Sequence, residues 1–366
     1  MKFSSFIFLA SLCALASQIN AQEPELPLDK IKLPPGFSIS VWAKVPDART
    51  MALGDQGTVF VGSKAAGNVY AITEKEGSRQ VHIIASKLKM PTGVAFHDGA
   101  LFVSSVNKIL RFDHIEVTLD QPAPARIITA DYPKETYHAE RFMAFGPDGR
   151  LYVSIGSSCN ACEDNSDHFA LISRIQPDGT GYEIFAKGVR NSEGFDWHPI
   201  TKELWFTDIS REWMGDNLPP DELNHASGSG LHFGYPYCYG KEVSDPKLGA
   251  KRDCNKFTPP AIELNPHVAP MGIRFYNGTM FPTEYHNSIF IAEHGSWNRS
   301  RKVGYQIERV QLNANKIIKK ETFAEGWLQE NQAWGRPVDI LVMSDGALLV
   351  SDDMAGVIYR ISYSQP

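Results

Sequence analysis

A six-bladed β-propeller, all-β and forming a single domain over residues 22–366, is the fold this sequence predicts. Three observations carry it: a two-strand pattern that recurs six times, an Asp-Gly or related turn at the centre of most copies, and the lack of any sustained helical period. The copies begin near Met51 (MALGDQGTVFVGS), Gly93 (GVAFHDGALFVSS), Met143 (MAFGPDGRLYVSI), Gly194 (GFDWHPITKELWFTD), Gly272 (GIRFYNGTMFPTEYHNSIFIAE) and Asp339 (DILVMSDGALLVSD). Asp-Gly and Asn-Gly tolerate positive φ, so they suit a tight hairpin between the two strands.

Third strands follow several copies, at Asn68–Ile72, Lys108–Phe112, Gly304–Val310 and Val357–Ile361. Starts spaced by roughly 42 to 78 residues suit blades of three or four strands plus loops. The longest connections follow the third, fourth and fifth copies, and long loops on a rigid scaffold are where binding and catalysis concentrate. The early strand Phe37–Ala43 has no copy of its own and is expected to complete the last blade and close the ring. A β-sandwich is the competing fold, but its strands do not come as six turn-centred pairs.

The first residues read as an export leader. Lys2 supplies the positive end, Phe6–Ala16 an apolar stretch too short to span a bilayer, and Ala21 a small residue for cleavage. Ala14-Leu15-Ala16 offers an alternative cleavage site, and Cys13, preceded by bulky Leu12, is expected to leave with the leader. The mature chain then has about 345 residues, enough for a large core, and no later run is apolar enough to cross a membrane. Without Lys2 it carries 35 basic against 42 acidic residues, a balance that argues against a nucleic-acid partner.

Four cysteines remain. In an exported chain an even number reads as two disulfides, and Cys159–Cys162 with Cys238–Cys254 is the simplest of three pairings. Cys159-x-x-Cys162 follows a strand-like run without a βαβ context, and the chain has neither a second CxxC for zinc nor a CxxCH for haem. A structural disulfide is the expectation there.

Three segments carry candidate chemistry. Tyr137-His138-Ala139-Glu140-Arg141 precedes the third copy; His138 reads as a general base near neutral pH or, more blandly, as a surface loop histidine. Gly188 to Pro199 places Arg190 and Asn191 between glycines just before a strand, where an Arg fork suits a carboxylate or an inter-blade ion pair. The acidic, Pro-containing insertion Asp208–Gly240 holds Asp216, Asp221 and Glu222, which read as calcium ligands or as solvated loop carboxylates. Two further basic stretches, Glu293–Lys302 and Trp334–Asp339, stand at blade entrances where a multi-anionic ligand would meet them.

The linked run RNSEGFDWHP, ELWFTD, LPPDELN and HFGYPYC, extended by EHGSWNRS and GRPVDILVMSDGALLVSDD, resembles the glucose/sorbosone dehydrogenase family. The likeness covers nearly the whole mature chain and is nearest the sorbosone-dehydrogenase-like branch. It implies a six-bladed propeller that carries pyrroloquinoline quinone (PQQ) over the ring's mouth, bridged by calcium, and that oxidises an aldose or aldehyde sugar by hydride transfer. By this resemblance His138 is the catalytic base, and Arg190 and Asn191 contact the quinone, with Arg190 stabilising charge on its oxygen. Arg336 holds a PQQ carboxylate. The family's fifth-blade lysine falls among Arg299, Arg301 and Lys302. Asp221, Glu222 and Asn224 match an Asp-Glu-apolar-Asn stretch, and the cofactor's calcium falls to the backbone carbonyls of Ser210 and Arg211.

The chain departs from the soluble glucose dehydrogenases at two places. It has Ser192-Glu193 where they have Pro-Gln, and Ser210-Arg211 where they have Gly-Pro. A carboxylate at Glu193 beside a tri-anionic cofactor is costly unless paired. The resemblance further implies a separate electron acceptor and a periplasmic or secreted location. The competing functions are a metal-dependent lactonase on a similar propeller and a non-catalytic propeller that binds a glycan or protein.

Overall fold

The structure is a computed structural model that describes residues 25–129, 131–164 and 167–365. The export leader, Cys13 and the cleavage site at Ala21 lie outside the described residues. Among the described residues six blades of four antiparallel strands follow one another around a ring, one for each of the six sequence copies, and the third carries a fifth, parallel edge strand. Blade 1 comprises Met51–Leu53, Val59–Val61, Val69–Lys75 and Ser78–Ala85; blade 2 comprises Val94–His97, Ala100–Ser105, Lys108–Phe112 and Arg126–Thr129. Blade 3 comprises Met143–Phe145, Leu151–Ile155, Leu171–Ile175 and Glu183–Lys187; blade 4 comprises Phe195–Trp197, Leu204–Asp208, Glu222–Ala226 and Ile262–Glu263. Blade 5 comprises Pro270–Phe275, Ile289–Glu293, Gln306–Asn313 and Lys316–Glu325. In blade 6, Pro337–Val342, Leu348–Asp352 and Val357–Tyr363 are joined by the N-terminal strand Phe37–Lys44, which pairs Phe37 with Tyr363 and Lys44 with Val357. The ring therefore closes as expected, by a strand from the start of the chain.

Turn chemistry explains the hairpins. Asp98 (φ 49°) and Gly99 (φ 70°) form a two-residue turn between paired His97 and Ala100, a conformation that requires positive φ at both positions. Strand burial explains the cohesion. The second strands of blades 3 to 6 are buried at every position, because each blade is covered on both faces by its neighbours. Six apolar clusters result, one for each interface between neighbouring blades. Polar rivets cross the same seams: Asp339 in blade 6 accepts the Met51 N–H of blade 1, and Asp196 in blade 4 accepts the Phe275 N–H of blade 5.

One expectation is corrected. Asp208–Gly240 reads in sequence as a single insertion, yet Glu222–Ala226 inside it is the third strand of blade 4. The strand is hidden from the hydropathy pattern because Glu222 and Asn224 are buried alongside Leu223 and Ala226. The true insertion follows that strand. It climbs the outer edge of blade 3 as a short parallel strand, Leu231–His232, and packs Tyr235 and Tyr239 against Ala170. The disulfide Cys238–Cys254 staples this insertion, and Cys159–Cys162 staples the loop it covers, both as expected. No helix among the described residues is long and apolar enough to cross a membrane.

One aromatic ring of the closing strand packs against both blades that flank the seam. Phe37 meets Phe281, Tyr285 and Phe323 of blade 5 and Tyr363 of blade 6, with ring centroids 4.7 to 5.1 Å apart. Phe37→Ala is expected to cost about 3 kcal/mol in urea unfolding, the low end for such truncations. Val41→Ala, at an exposed position of the same strand, should cost under about 0.5 kcal/mol. Equal losses for the two would mean that closure does not depend on this contact.

Candidate active site

Antiparallel order puts the entrance to each first strand on the same end of the ring as the turn between its second and third strands. The long loops that begin at 156, 209 and 294 therefore leave from one mouth, with the entrances at Arg49, Tyr137–Arg141, Gly188–Glu193 and Trp334–Arg336. His138, Arg190, Asn191, Arg336, Ser210, Arg211, Asp221, Arg299 and Lys302 all fall on this face.

His138 and Asn191 pack on Gly156. A Cβ on Gly156 would stand 2.4 Å from the His138 Cβ and 2.7 Å from Asn191 Oδ1, so only glycine permits this approach. His138 holds φ at 49°, a left-handed conformation that costs a non-glycine residue energy, and its neighbour Arg141 does the same at 53°. Arg141 anchors the turn by donating to the carbonyls of Val106, His138 and Pro133.

The His138 Nδ1 lies 3.1 Å from the Ser157 carbonyl and 3.0 Å from its hydroxyl. Donation from Nδ1–H to that carbonyl leaves Nε2 as a free lone pair. Burial, reinforced by the nearby Arg190 charge, pushes the imidazole down to about 3, so it is neutral at ordinary pH. The Tyr137 ring lies against it at 4.1 Å.

Arg190 works from behind this pair. It is only 2% exposed, and Nε, Nη1 and Nη2 donate to Asn160 O, Ile209 O and Asn160 Oδ1 at 2.8 to 3.0 Å. Its side chain clamps the loop at Asn160 to the 209–221 loop, and Asp208 accepts the backbone N–H of both Arg190 and Asn191.

A polar chain crosses the mouth from Asn191. Its amide donates to Glu193 Oε1 at 3.2 Å, and Glu193 Oε2 is paired with Arg49 at 2.5 Å. Arg49 also pairs with Asp353 at 2.7 Å, and Asp353 in turn meets His294 Nε2 at 2.9 Å. The His294 carbonyl accepts from Arg336 Nε at 3.0 Å. Lys64 and Glu140 form a second pair beside it. Burial and then the Glu140 charge push the Glu193 carboxyl up, while Arg49 opposes both. Burial pushes His294 down to about 4 against the pull of Asp353, so it is neutral and donates to that carboxylate.

Arg336 and Lys302 each lie near the Tyr305 ring, their charged ends 5.6 and 5.9 Å from its centroid. Arg299 is not with them. It donates to Asp216 O and Asn217 Oδ1 on the blade 4 loop. Arg301 is exposed.

The proposed metal ligands divide. Asp221 accepts the N–H groups of Ser210 and Ala269, and Glu222 accepts from Gly240 N–H and Asn224 Nδ2. These carboxylates serve as buried pins for loops, which makes them poor candidates for a cation. Ser210 and Arg211 turn their side chains to Pro220 O and Asp245, and their loop is tied down by Asp221 and Arg190. Among the described residues no group of three or more His, Cys, Asp or Glu is placed to hold a metal ion. A cation at this mouth would therefore draw on backbone carbonyls.

Sequence reasoning left out Arg49, Lys64, Asp353 and Ser157. One signal was present: Arg49 and Arg141 each stand two residues before a copy start, at Met51 and Met143, on blade entrances as Arg190 and Arg336 do.

The TrAA12-like family profile matches residues 31–364. An uncharacterised protein of Borreliella burgdorferi is 35% identical over 378 aligned positions, covering 99% of this chain and 98% of the relative. Among solved structures, a Trichoderma reesei protein of carbohydrate-active enzyme family AA12 superposes with TM-score 0.79 at 19% identity, covering 94% of this chain and 100% of that one. The PQQ domain of pyranose dehydrogenase from Coprinopsis cinerea superposes with TM-score 0.75 at 19% identity, covering 91% and 97%. PQQ-bound aldose sugar dehydrogenase from Streptomyces coelicolor gives 0.64 at 18%, covering 91% and 100%. At these identities the three structures bear out the fold.

The Arg49–Glu193 pair can be tested by truncation. Glu193→Ala leaves a buried guanidinium with one partner fewer, and removing one member of a buried pair typically costs about 3–5 kcal/mol. Glu193→Gln keeps an acceptor for Asn191 and should cost clearly less. Urea unfolding of the two variants checks this, and a Glu193→Ala protein as stable as the parent would show that the pair does not hold the mouth.

Proposed function

This chain belongs to the TrAA12-like family, and we propose that it is a PQQ-dependent oxidoreductase that oxidises an aldose or aldehyde sugar outside the cytoplasm. The observation that carries this reading is His138, a neutral, half-buried imidazole fixed through Nδ1 with Nε2 open as a base. Support for the chemistry comes from relatives described as a pyranose dehydrogenase PQQ domain and a PQQ-bound aldose sugar dehydrogenase. Two disulfides fit an exported protein.

The donor set suits a planar, tri-anionic quinone. Arg336 and Lys302 near Tyr305 would hold its carboxylates, and Asn191 would meet its polar edge beside His138. When bound, PQQ supplies a two-electron acceptor for hydride. Calcium would be held by the carbonyls of Ser210 and Arg211. Arg190 is a positioning residue here: its charge adds to the burial that keeps His138 unprotonated, and its clamp fixes the loops on either side. Glu193, paired with Arg49, adds no uncompensated charge under an anionic ligand. The electrons leave to a separate acceptor. A lactonase would need converging side-chain metal ligands, and no observation favours that reading.

His138 Nε2 would take the proton from the sugar hydroxyl as hydride leaves the same carbon, which avoids a high-energy protonated carbonyl. A positioned base contributes typically ~10²–10⁴-fold. In protein reconstituted with PQQ and calcium, with aldoses and a dye acceptor, His138→Gln should lose that much kcat with little change in cofactor binding. With the imidazole held down at about 3, the acid limb due to His138 should lie below about pH 5. Full turnover by a folded, PQQ-loaded His138→Gln protein, or an acid limb near pH 6.5 that this variant removes, would contradict the mechanism.

A further inference from the structure

Of the seven tryptophans, five are buried or half-buried, while Trp213 and Trp297 are 68% and 62% exposed. Both stand on the mouth face, Trp213 on the blade 4 loop and Trp297 on the blade 5 loop, with rings edge to face at 5.4 Å. Large apolar side chains left together in solvent beside a site mark a binding surface.

The pair is held in place by contacts that sew the two loops together. Trp297 Nε1 donates to Glu212 Oε1 at 3.1 Å, Arg299 reaches Asp216 O and Asn217 Oδ1, and Ser300 N–H donates to Asp216 Oδ1. Glu212 is in turn fixed to the site, since its N–H donates to Asn160 Oδ1 at 2.8 Å, the same atom that Arg190 engages. Rigid indoles rimmed by Glu, Asp, Asn and Arg offer an apolar face with hydrogen-bonding edges. A pyranose ring has the complementary form, with C–H groups on its faces and hydroxyls around its edge. A third exposed aromatic ring, Tyr137 at 44%, lies against His138 itself.

We propose that Trp213 and Trp297 form a stacking platform for a second pyranose unit, so that the substrate is an oligosaccharide whose reacting end lies at His138 and Tyr137. This deepens the sugar-oxidoreductase reading and rests on it for the identity of the reacting end alone. The platform binds sugar whether or not the oxidation occurs.

The test is calorimetric titration of the full-length protein, with and without PQQ and calcium, using cellotriose, xylotriose, maltotriose and glucose. At least one trisaccharide should bind more tightly than glucose, and Trp213→Ala or Trp297→Ala should weaken that trisaccharide about tenfold relative to glucose. The proposal is overturned if no trisaccharide exceeds glucose, or if both tryptophan variants bind the trisaccharide like the parent. It is equally overturned if those variants change only the rate of electron transfer to an acceptor protein, which would make the pair a docking patch. Tryptophan-dependent trisaccharide binding in a protein that oxidises no sugar would support the platform and remove the enzymatic reading.

Discussion

The mouth of this propeller depends on a charge-paired chain that runs from one side of the ring to the other. Arg49 leads into blade 1, Glu193 into blade 4, and Asp353 follows the second strand of blade 6; their side chains meet in the middle with distances of 2.5 and 2.7 Å. Arg49 and Glu193 are buried and Asp353 is half-buried, and any one of them unpaired would be expensive. Satisfied together they fix Asn191 at one end and, through His294, the backbone that receives Arg336 at the other. Blades that otherwise touch only their neighbours are thereby coupled across the ring.

The same economy recurs around the site. Buried carboxylates that could have been ligands are used on backbone N–H groups instead: Asp208 on Arg190 and Asn191, Asp221 on Ser210 and Ala269, Glu222 on Gly240. Each ties a loop to a strand end. The loops can then be long without being loose, and His138 can be held in a left-handed conformation with its Nδ1 committed and Nε2 open. Neutrality of that imidazole follows from burial and the fixed Arg190 charge together.

The fold was legible because its signals are local. Hairpin turns such as Asp98-Gly99 and strands such as Leu151–Ile155 declare themselves within a dozen residues, and six repetitions settle the architecture. Even the closure by Phe37–Lys44 follows from counting one strand too many at the start. Glu222–Ala226 escaped because its buried polar residues erase the hydrophobic pattern. The site was legible only as positions. His138, Asn191 and Arg336 could be picked out on blade entrances, but the pairing of Arg49 with Glu193 joins residues 144 apart, and with Asp353 residues 304 apart. No spacing rule reaches that far. For the same reason the clamping duty of Arg190 and the separation of Arg299 from Lys302 appear only when the loops are seen together.

We propose that this mouth, with His138 as its neutral base and Arg336 and Lys302 near the Tyr305 ring, takes one planar polyanionic quinone. Calorimetric titration of the purified protein with PQQ in the presence of calcium tests it most directly. The account predicts saturable binding of one PQQ per chain, weakened roughly ten- to a hundredfold by Arg336→Ala, as expected when a charged hydrogen-bond partner is removed. No saturable binding by the parent protein, or equal affinity in parent and variant, would contradict it.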